Sequence, residues 1–324
     1  MGLDVKVKID LNKPLGKTAF GNPLILSVGA EEKACTECKT IEDIVTAGYA
    51  QGTDTYKAAQ LMLSQNNPPE KVLVCTATNA TAGLQKVAGE AWRQLVVVGE
   101  LPEEQSKADI ASWIEATKDK MYFATVETAA ELSALGEGKR TIGFVHKDPV
   151  AVAALVGEAA GREVGSFTYK NLILNGIEPM TDIDVDAVTS AKGITFVTKA
   201  GDNVTSEGKV LADEYIDIID SEDYIITNLE NRTQKALNNV GKIPYDNNGI
   251  AMLESVAVNV MMDAYSKGMI ATDADGNAMY EVDYALREET SEEDRAIRKY
   301  VGGRFKFTLA GAVHEVQING EIAI

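Results

Sequence analysis

The 324-residue chain has few of the side chains that build metal and redox sites, with only three cysteines and two histidines. Cys35 and Cys38 form one C-x-x-C motif, but no second pair and no nearby histidine could complete a four-ligand zinc site. A thioredoxin-like role is disfavoured because the motif does not directly follow a buried strand. Cys75 lies in the apolar run KVLVCTAT and is interpreted as a core residue. The sequence therefore predicts neither a metal nor a cofactor.

Positive charge is also scarce, with 31 basic against 49 acidic residues and a net charge of −18. Such a surface repels phosphate backbones, so nucleic acid is not an expected partner. The apolar run Ile250–Met262 contains Glu254, and no stretch of about 18 residues lacks charge, so no membrane span is expected. The N-terminal MGLDVKVKID lacks the apolar core of a signal peptide. We expect a soluble protein made in the cytoplasm.

The sequence contains no complete phosphate-binding motif. Gly16-Lys17-Thr18 resembles the end of a P-loop, but Leu11 stands where the motif requires glycine and Pro23 interrupts the helix that should follow. No G-x-G-x-x-G loop is present, and Gly157, Gly161 and Gly165 fit close helix packing better than a dinucleotide site.

Other catalytic signatures are equally weak. Asp273 and Asp275-Gly276 have the wrong glycine spacing for a calcium loop and are interpreted as a turn. His146 and His314 are far apart in the sequence and are interpreted as structural. The chain is therefore predicted not to be an enzyme. The alternative is an α/β nucleotide- or sugar-binding enzyme that uses loops such as Gly99–Glu103 or His146–Asp148.

The first half of the chain has an alternating pattern typical of an α/β fold. Continuous apolar strands are predicted at Lys71–Thr78, Leu95–Gly99, Met121–Val126 and Thr141–His146, after helical segments within residues 40–65. Helices are predicted at Thr81–Trp92, Ser106–Lys120, Thr128–Leu135 and Pro149–Gly161. This alternation predicts a mostly parallel sheet covered on both faces.

The second half is predicted to be mixed, which makes the chain α+β overall. Predicted elements are a hairpin with Gly201-Asp202 at its tip, a helix Ala212–Asn239 interrupted near Ser221, a buried helix Ile250–Lys267, a hairpin of Met269–Thr272 with Met279–Tyr284, and a short helix from Ser291 to Tyr300.

Both chain ends carry alternating strands with one apolar face. The apolar residues are Val5, Val7, Ile9 and Leu11 at one end, and Val316, Ile318, Ile322 and Ile324 at the other. Each strand either joins the chain's own sheet or is donated to a neighbouring molecule. Donation would be heterologous and would build rings or helical filaments.

A basic stretch stands out against the acidic background: Arg295, Arg298, Lys299, Arg304 and Lys306. Two interpretations are about equally supported. The cations complement the C-terminal dipole of a helix, or they form a docking surface for an acidic partner.

Sequence blocks in the C-terminal half resemble the contractile tail sheath proteins of bacteriophages and of related injection particles. The blocks, in chain order, are Gly165–Leu174 with Gly176–Pro179, Ile194–Val197, Glu207–Lys209, Glu214–Asp217 with Asp223-Tyr224, Lys242–Gly268 and Phe305–Ile324. Their order and spacing, rather than any single block, carry the resemblance.

The resemblance implies a non-catalytic subunit of the virion tail, made in the cytoplasm of the bacterial host. Sheath subunits form hexameric rings stacked helically around a tail tube, exchange terminal arms with neighbours, and contract to drive the tube through the host envelope. The implied partners are copies of the chain itself, the tail tube protein, and baseplate and tail terminator proteins. The expected division is an N-terminal arm and linker (1–24), an α/β domain (25–165), a C-terminal sheath domain (166–310) and a C-terminal arm (311–324). The basic stretch is the candidate tube-facing surface.

Overall fold

The computed structural model describes residues 20–117 and 119–317. The predicted strand of Val5, Val7, Ile9 and Leu11 lies outside these residues. So do Ile318, Ile322 and Ile324, which leaves Val316 as the described apolar position of the predicted C-terminal strand.

The centre of the molecule is an eight-stranded sheet. Its strands are β1 (Leu24–Val28), β2 (Lys33–Cys38), β3 (Val72–Ala77), β4 (Gln94–Val98), β5 (Met121–Val126), β6 (Thr141–Val145), β7 (Ile194–Lys199) and β8 (Asp202–Thr205). They are arranged in the order β2-β3-β1-β4-β5-β6-β7-β8. The inner pairs are parallel, and the edge strands β2 and β8 are antiparallel to their neighbours. The predicted mostly parallel layer is confirmed.

Three features of the sheet differ from the sequence prediction. Strand β1, a short apolar run without alternation, was not predicted, although it lies in the middle of the sheet. Edge strand β2 was also missed, because its polar residues do not form an apolar run. The sheet continues beyond residue 165, since β7 pairs with β6, so its end does not coincide with the expected domain boundary.

The hairpin of β7 and β8 is confirmed, with Ala200-Gly201 rather than Gly201-Asp202 at its tip.

Helices cover both faces of the sheet, as the alternating pattern predicted. They are α1 (Ile41–Thr46), α2 (Asp54–Leu63), α3 (Ala80–Lys86), α4 (Lys107–Thr117), a 3-10 helix (Ala129–Leu135), α5 (Val152–Ala160) and α6 (Val185–Ser190). Helices α2 and α5 enclose one core with Ile25 and Phe123, while α3 and α4 enclose the other with Leu26 and Trp92. A side chain at Gly157 would collide with the backbone of Met62, which confirms the predicted close helix packing.

The C-terminal part consists of two long helices and a hairpin. The elements are α7 (Ile216–Asn239), α8 (Asn247–Ser266), β9 (Tyr280–Tyr284), a 3-10 turn (Arg287–Glu289), α9 (Glu292–Ala296) and β10 (Gly303–Phe307). The predicted turn at Asp275-Gly276 is present, closed by the Thr272–Ala278 bridge, but β9 takes β10 as its partner strand.

Three helix predictions are wrong in this part. Helix α7 is continuous through Ser221, whose hydroxyl donates to the Asp217 carbonyl within the helix, 2.7 Å away. Helix α8 is not buried all round, since Met252 and Met262 are 42% and 55% exposed. Helix α9 also ends earlier than predicted, at Ala296.

A buried ionic cluster attaches α7 to the sheet. The Arg93 guanidinium, fully buried at the start of β4, donates to Asp220 and Asp223 of α7 at 3.0 and 2.8 Å. Arg140, which immediately precedes β6, binds both oxygens of Asp223 at 2.7 and 2.8 Å. Tyr169 donates its hydroxyl hydrogen to Asp220 at 3.0 Å. Helix α7 is therefore anchored at the N-terminal ends of strands β4 and β6.

Within the described part of the chain, no helix has the length and apolar character needed to cross a membrane.

Candidate assembly surface

The hairpin of β9 and β10 is the feature most suited to binding other chains. Its alternation turns Phe305 and Phe307 toward α8, in a small core with Val260 and Met261. Across the described residues, the hairpin forms a sheet of two strands only. Each strand therefore directs every second N–H and C=O away from its partner, along an unpaired edge. The hairpin has two such edges, and residues 269–272 of the same chain bridge to its base at Leu309 and Ala278.

The outer face of the hairpin carries both signs of charge. Arg304 stands directly opposite Asp283, and Lys306 stands opposite Glu281. Opposite charges at paired positions on one face attract each other. Sequence reasoning counted the two cations but missed the acids, because it did not pair residues 280–284 with 303–307.

The remaining cations of the basic stretch lie in the connection between the two strands. Arg295 donates to the carbonyls of Arg287 and Thr290, so its guanidinium closes the preceding turn. Arg298 and Lys299 are exposed, and Arg298 has a positive φ of 59° at the bend after α9. The five residues thus have three different environments. Arg295 closes a turn, Arg298 and Lys299 form an exposed pair at the bend (the bend pair), and Arg304 and Lys306 face acids across the hairpin.

Exposed apolar side chains surround the same region. Ile297 and Val301 flank the bend pair, with 64% and 56% of their surface exposed. Leu286, at the end of β9, is also exposed. Contiguous exposed apolar residues mark binding surfaces more often than single ones do. Sequence reasoning did not single out these residues.

The imidazole of His314 connects the C-terminal segment, residues 311–317, to the body. His314 lies in a socket where its Nε2 is 3.0 Å from Thr168 Oγ1 and its Nδ1 is 3.5 Å from Glu207 Oε1. The ring meets Tyr215 edge-on, with centroids 4.7 Å apart. Val313 and Val316 on either side are 83% and 75% exposed. His314 is therefore a contact point between this segment and the body.

Two carboxylates and a lysine give the socket its electrostatic character. Burial raises the pKa of the Asp217 carboxyl, and the nearby His314 opposes that rise. Glu207 also faces Lys170, whose Nζ is 3.5 Å from its Oε2. Asp217 lines an adjoining cavity of about 270 Å³ together with Gly165, Ser166, Phe167, Thr168, Ile218, Ser221, Gly268, Met269, Leu309, Gly311 and Ala312.

The two loops considered for an enzyme, Gly99–Glu103 and His146–Asp148, do not take part in the socket of His314 or in its adjoining cavity. His146 is buried, with its Nε2 2.9 Å from the Glu178 carbonyl and its Nδ1 accepting from the Asp148 amide at 2.9 Å. Both ring nitrogens are therefore engaged in fixing a loop, which agrees with the structural interpretation. Neither this loop nor Gly99–Glu103 contributes to the cavity beside Asp217.

Comparison with known proteins relates this surface to a family. Residues 216–322 match the family model described as "E217 tail sheath protein gp31-like, C-terminal domain". The matched range includes α7, α8, the hairpin and the C-terminal segment. No curated protein sequence matches the chain.

Solved structures match over almost the whole chain. The contracted helical sheath of the anti-feeding prophage (AFP) has a TM-score of 0.74 at 13% identity, covering 98% of each chain. A chain of the AFP baseplate structure has a TM-score of 0.72 at 12% identity, covering 100% of this chain and 99% of its own.

The contracted sheath complex of PVC, an extracellular contractile injection system, has a TM-score of 0.71 at 11% identity, covering 98% of this chain and 96% of its own. Likeness at such low identity establishes the fold. The resemblance to contractile tail sheath proteins is thereby confirmed, by the family model over residues 216–322 and by the fold over nearly the full length.

Proposed function

We propose that this chain is the structural subunit of a contractile tail sheath. It assembles as stacked hexameric rings around a tail tube, and contraction of the assembly drives the tube through a host envelope. The observation that carries the proposal is the match of 98% of the chain to a subunit of a contracted helical sheath. The family model over residues 216–322 supports it independently.

The terminal strands are the proposed links between subunits. The hairpin β9–β10 has two unpaired edges, and the chain has two alternating terminal segments, Val5–Leu11 and Val316–Ile324. An added strand forms main-chain hydrogen bonds along a free edge, and its alternate side chains give register. The C-terminal segment leaves the body at His314 with Val316 exposed, as donation to a neighbour requires.

The proposed partners beyond the chain itself are the tail tube, the baseplate and a tail terminator. The tube-facing surface is the basic stretch of Arg295, Arg298, Lys299, Arg304 and Lys306. Within it, the exposed bend pair, Arg298 and Lys299, forms the strongest candidate contact, because Arg304 and Lys306 already face acids across the hairpin. An acidic tube surface would complement this pair.

Electron microscopy of the purified protein tests the proposal. Wild-type protein at rising concentration is expected to form hollow tubes with a helical lattice. Replacing the apolar residues Val5, Val7, Ile9 and Leu11 by serine should prevent tube formation, because the added strand loses its buried face. The matched control replaces Lys6, Lys8 and Asp10, on the opposite face of the same strand, and should still polymerise.

Deleting both terminal segments tests strand donation directly. A soluble double deletion of residues 1–11 and 316–324 that still forms tubes would disprove strand donation. Wild-type protein that stays as small particles at every concentration, even with tail tubes added, would contradict the sheath function itself.

A further inference from the structure

The sheet separates the two cysteines of the C-x-x-C motif. Cys35 and Cys38 are three residues apart on β2, so their side chains point to opposite faces of the sheet. Cys38 is buried in the core that contains Ile25, and Cys35 packs against the core that contains Leu26. The two thiols that are adjacent in sequence therefore lie on different sides of a continuous sheet.

Cys35 instead faces Cys75 on the neighbouring strand. Strands β2 and β3 are antiparallel, with Lys33 opposite Thr76 and Thr36 opposite Val74. The register shifts between these pairs, which leaves Cys35 at the bulge opposite Cys75. Opposed residues of antiparallel strands have Cα atoms about 4.5–5.5 Å apart. That spacing falls within the roughly 4.4–6.8 Å that a disulfide spans.

The two thiols differ in exposure and in acidity. Cys35 is half-buried, whereas Cys75 is only 4% exposed. A hydrogen bond from the Cys75 thiol lowers the pKa of Cys35, against the opposing effects of burial and of Glu90 and Glu37. The same hydrogen bond, with burial, raises the pKa of Cys75. Cys35 is therefore the thiol that reaches solvent and ionises first, which makes it the better nucleophile.

We propose that Cys35 and Cys75 form a dithiol that a small-molecule disulfide oxidises to a cross-strand disulfide. The Cys35 thiolate attacks one sulfur of the oxidant, forms a mixed disulfide and releases the first small thiolate. Cys75 then gives up its proton and attacks the Cys35 sulfur, which releases the second small thiolate. The protein loses two hydrogens, and one molecule of oxidant becomes two molecules of thiol.

This bond would link the edge strand β2 covalently to β3 in the central sheet. Strand β2 is terminal in the sheet order, so β3 is the partner that holds it among the described residues. The disulfide would also close a loop that contains α1 and α2, and closing a long loop restricts the unfolded chain. The inference depends on the sheet register alone and is independent of the proposed function.

Peptide mapping after oxidation identifies the pair. Purified protein is treated with oxidised glutathione, its remaining thiols are alkylated under denaturing conditions, and it is digested with trypsin. Trypsin leaves Cys35 and Cys38 in one peptide, 34–39, and Cys75 in another, 72–86. A glutamyl endopeptidase then cuts after Glu37 and separates the first two cysteines.

The expected product is peptide 34–37 linked to peptide 72–86, with Cys38 alkylated. The thiol count should fall from three to one, since all three cysteines are free before oxidation. A link between Cys35 and Cys38, or a thiol count that stays at three, would overturn the proposal.

Thermal unfolding of variants gives a second measurement. Oxidation should raise the Tm of wild-type protein by several degrees, and the matched control Cys38→Ser should show the same rise. Cys35→Ser is expected to fold, because its side chain is half-buried, and its Tm should not respond to the oxidant. An equal rise in Cys35→Ser would show that the stabilisation does not come from this bond.

Discussion

At the scale of single residues, Asp223 is the acid on which the attachment of α7 to the sheet most depends. It accepts from Arg93 and from both nitrogens of the Arg140 fork, and it is 2% exposed. Burial alone would raise the pKa of the Asp223 carboxyl, but the two arginines outweigh burial and hold its pKa below the usual range. Two buried guanidinium groups thus share one carboxylate as a counter-ion.

Replacing Asp223 by asparagine should destabilise the fold by about 3–5 kcal/mol, because it leaves the buried guanidinium of Arg140 without its counter-ion, although Arg93 keeps Asp220. The free energy of unfolding in urea measures this loss. The matched control is Asp213→Asn, whose carboxylate binds Lys192 and Lys209 at 2.8 Å but is about half-exposed. Exposed pairs contribute about 1 kcal/mol or less each, so the control should lose far less stability.

The difference between wild type and Asp223→Asn should also depend on pH. The lowered pKa of Asp223 means that its contribution to stability is complete above the unfolded-state pKa of about 4. That contribution is lost as the pH falls through the lower folded-state pKa. The two proteins should therefore converge in stability in strong acid, and a constant difference down to about pH 2 would refute the role of this charge.

At the scale of whole elements, sequence periodicity predicted the elements whose pattern is local. The run VLVCTA of β3 and the helices that alternate with strands after it were found because the apolar residues of each element follow a recognisable pattern within that element. Strand β1 (LILSV) was missed because it precedes the regular alternation of strands and helices and directly follows Pro23, although it lies in the middle of the sheet.

Pairing between distant elements was the harder problem. The acids of β9 (YEVDY) alternate in the same register as the cations of β10 (GRFKF), and this complementarity was a usable signal. The interruption predicted near Ser221 failed for a different reason. Polar residues in α7 looked like a break, but Asp220 and Asp223 are buried against arginines that lie about 80–130 positions away in the sequence. A one-dimensional pattern does not contain that contact.

The C-terminal segment gives a prediction at the same scale. His314→Ala should release residues 311–317 from the body, because it removes the ring contact with Tyr215 and the bond to Thr168. Losing about 1 kcal/mol of local attachment corresponds to roughly fivefold faster amide hydrogen exchange in this segment. Exchange measured by mass spectrometry should leave α7 unchanged, and Val313→Ala, beside His314 but exposed, serves as the control. Unchanged exchange in His314→Ala would mean that the segment is held by other contacts.

At the scale of the whole molecule, the structure combines a firmly joined body with an exposed hairpin and an exposed C-terminal segment. The central sheet, both helix layers and α7 are connected through buried side chains, including the ionic cluster. The hairpin edges and the exposed segment after His314 lie at the periphery. If the proposed sheath function holds, such a subunit would move as a body during contraction while donated strands keep the copies connected.

The charge distribution leads to the final prediction, which concerns the tail tube. The chain carries a net charge of −18, so two exposed cations at Arg298 and Lys299 form a local exception on an acidic molecule. Changing both to glutamate should weaken binding to purified tail tubes by on the order of tenfold at about 0.1 M salt, because attraction becomes repulsion.

Co-sedimentation with tail tubes measures this effect, and electron microscopy should show that the double variant still assembles with itself. The control changes Lys57 and Lys86 to glutamate, which alters the net charge equally but on α2 and α3, in the first half of the chain. The difference between the variants should shrink at high salt, since screening weakens interactions between exposed charges. Equal tube binding by wild type and Arg298→Glu/Lys299→Glu at low salt would instead assign these cations to the local structure of the bend after α9.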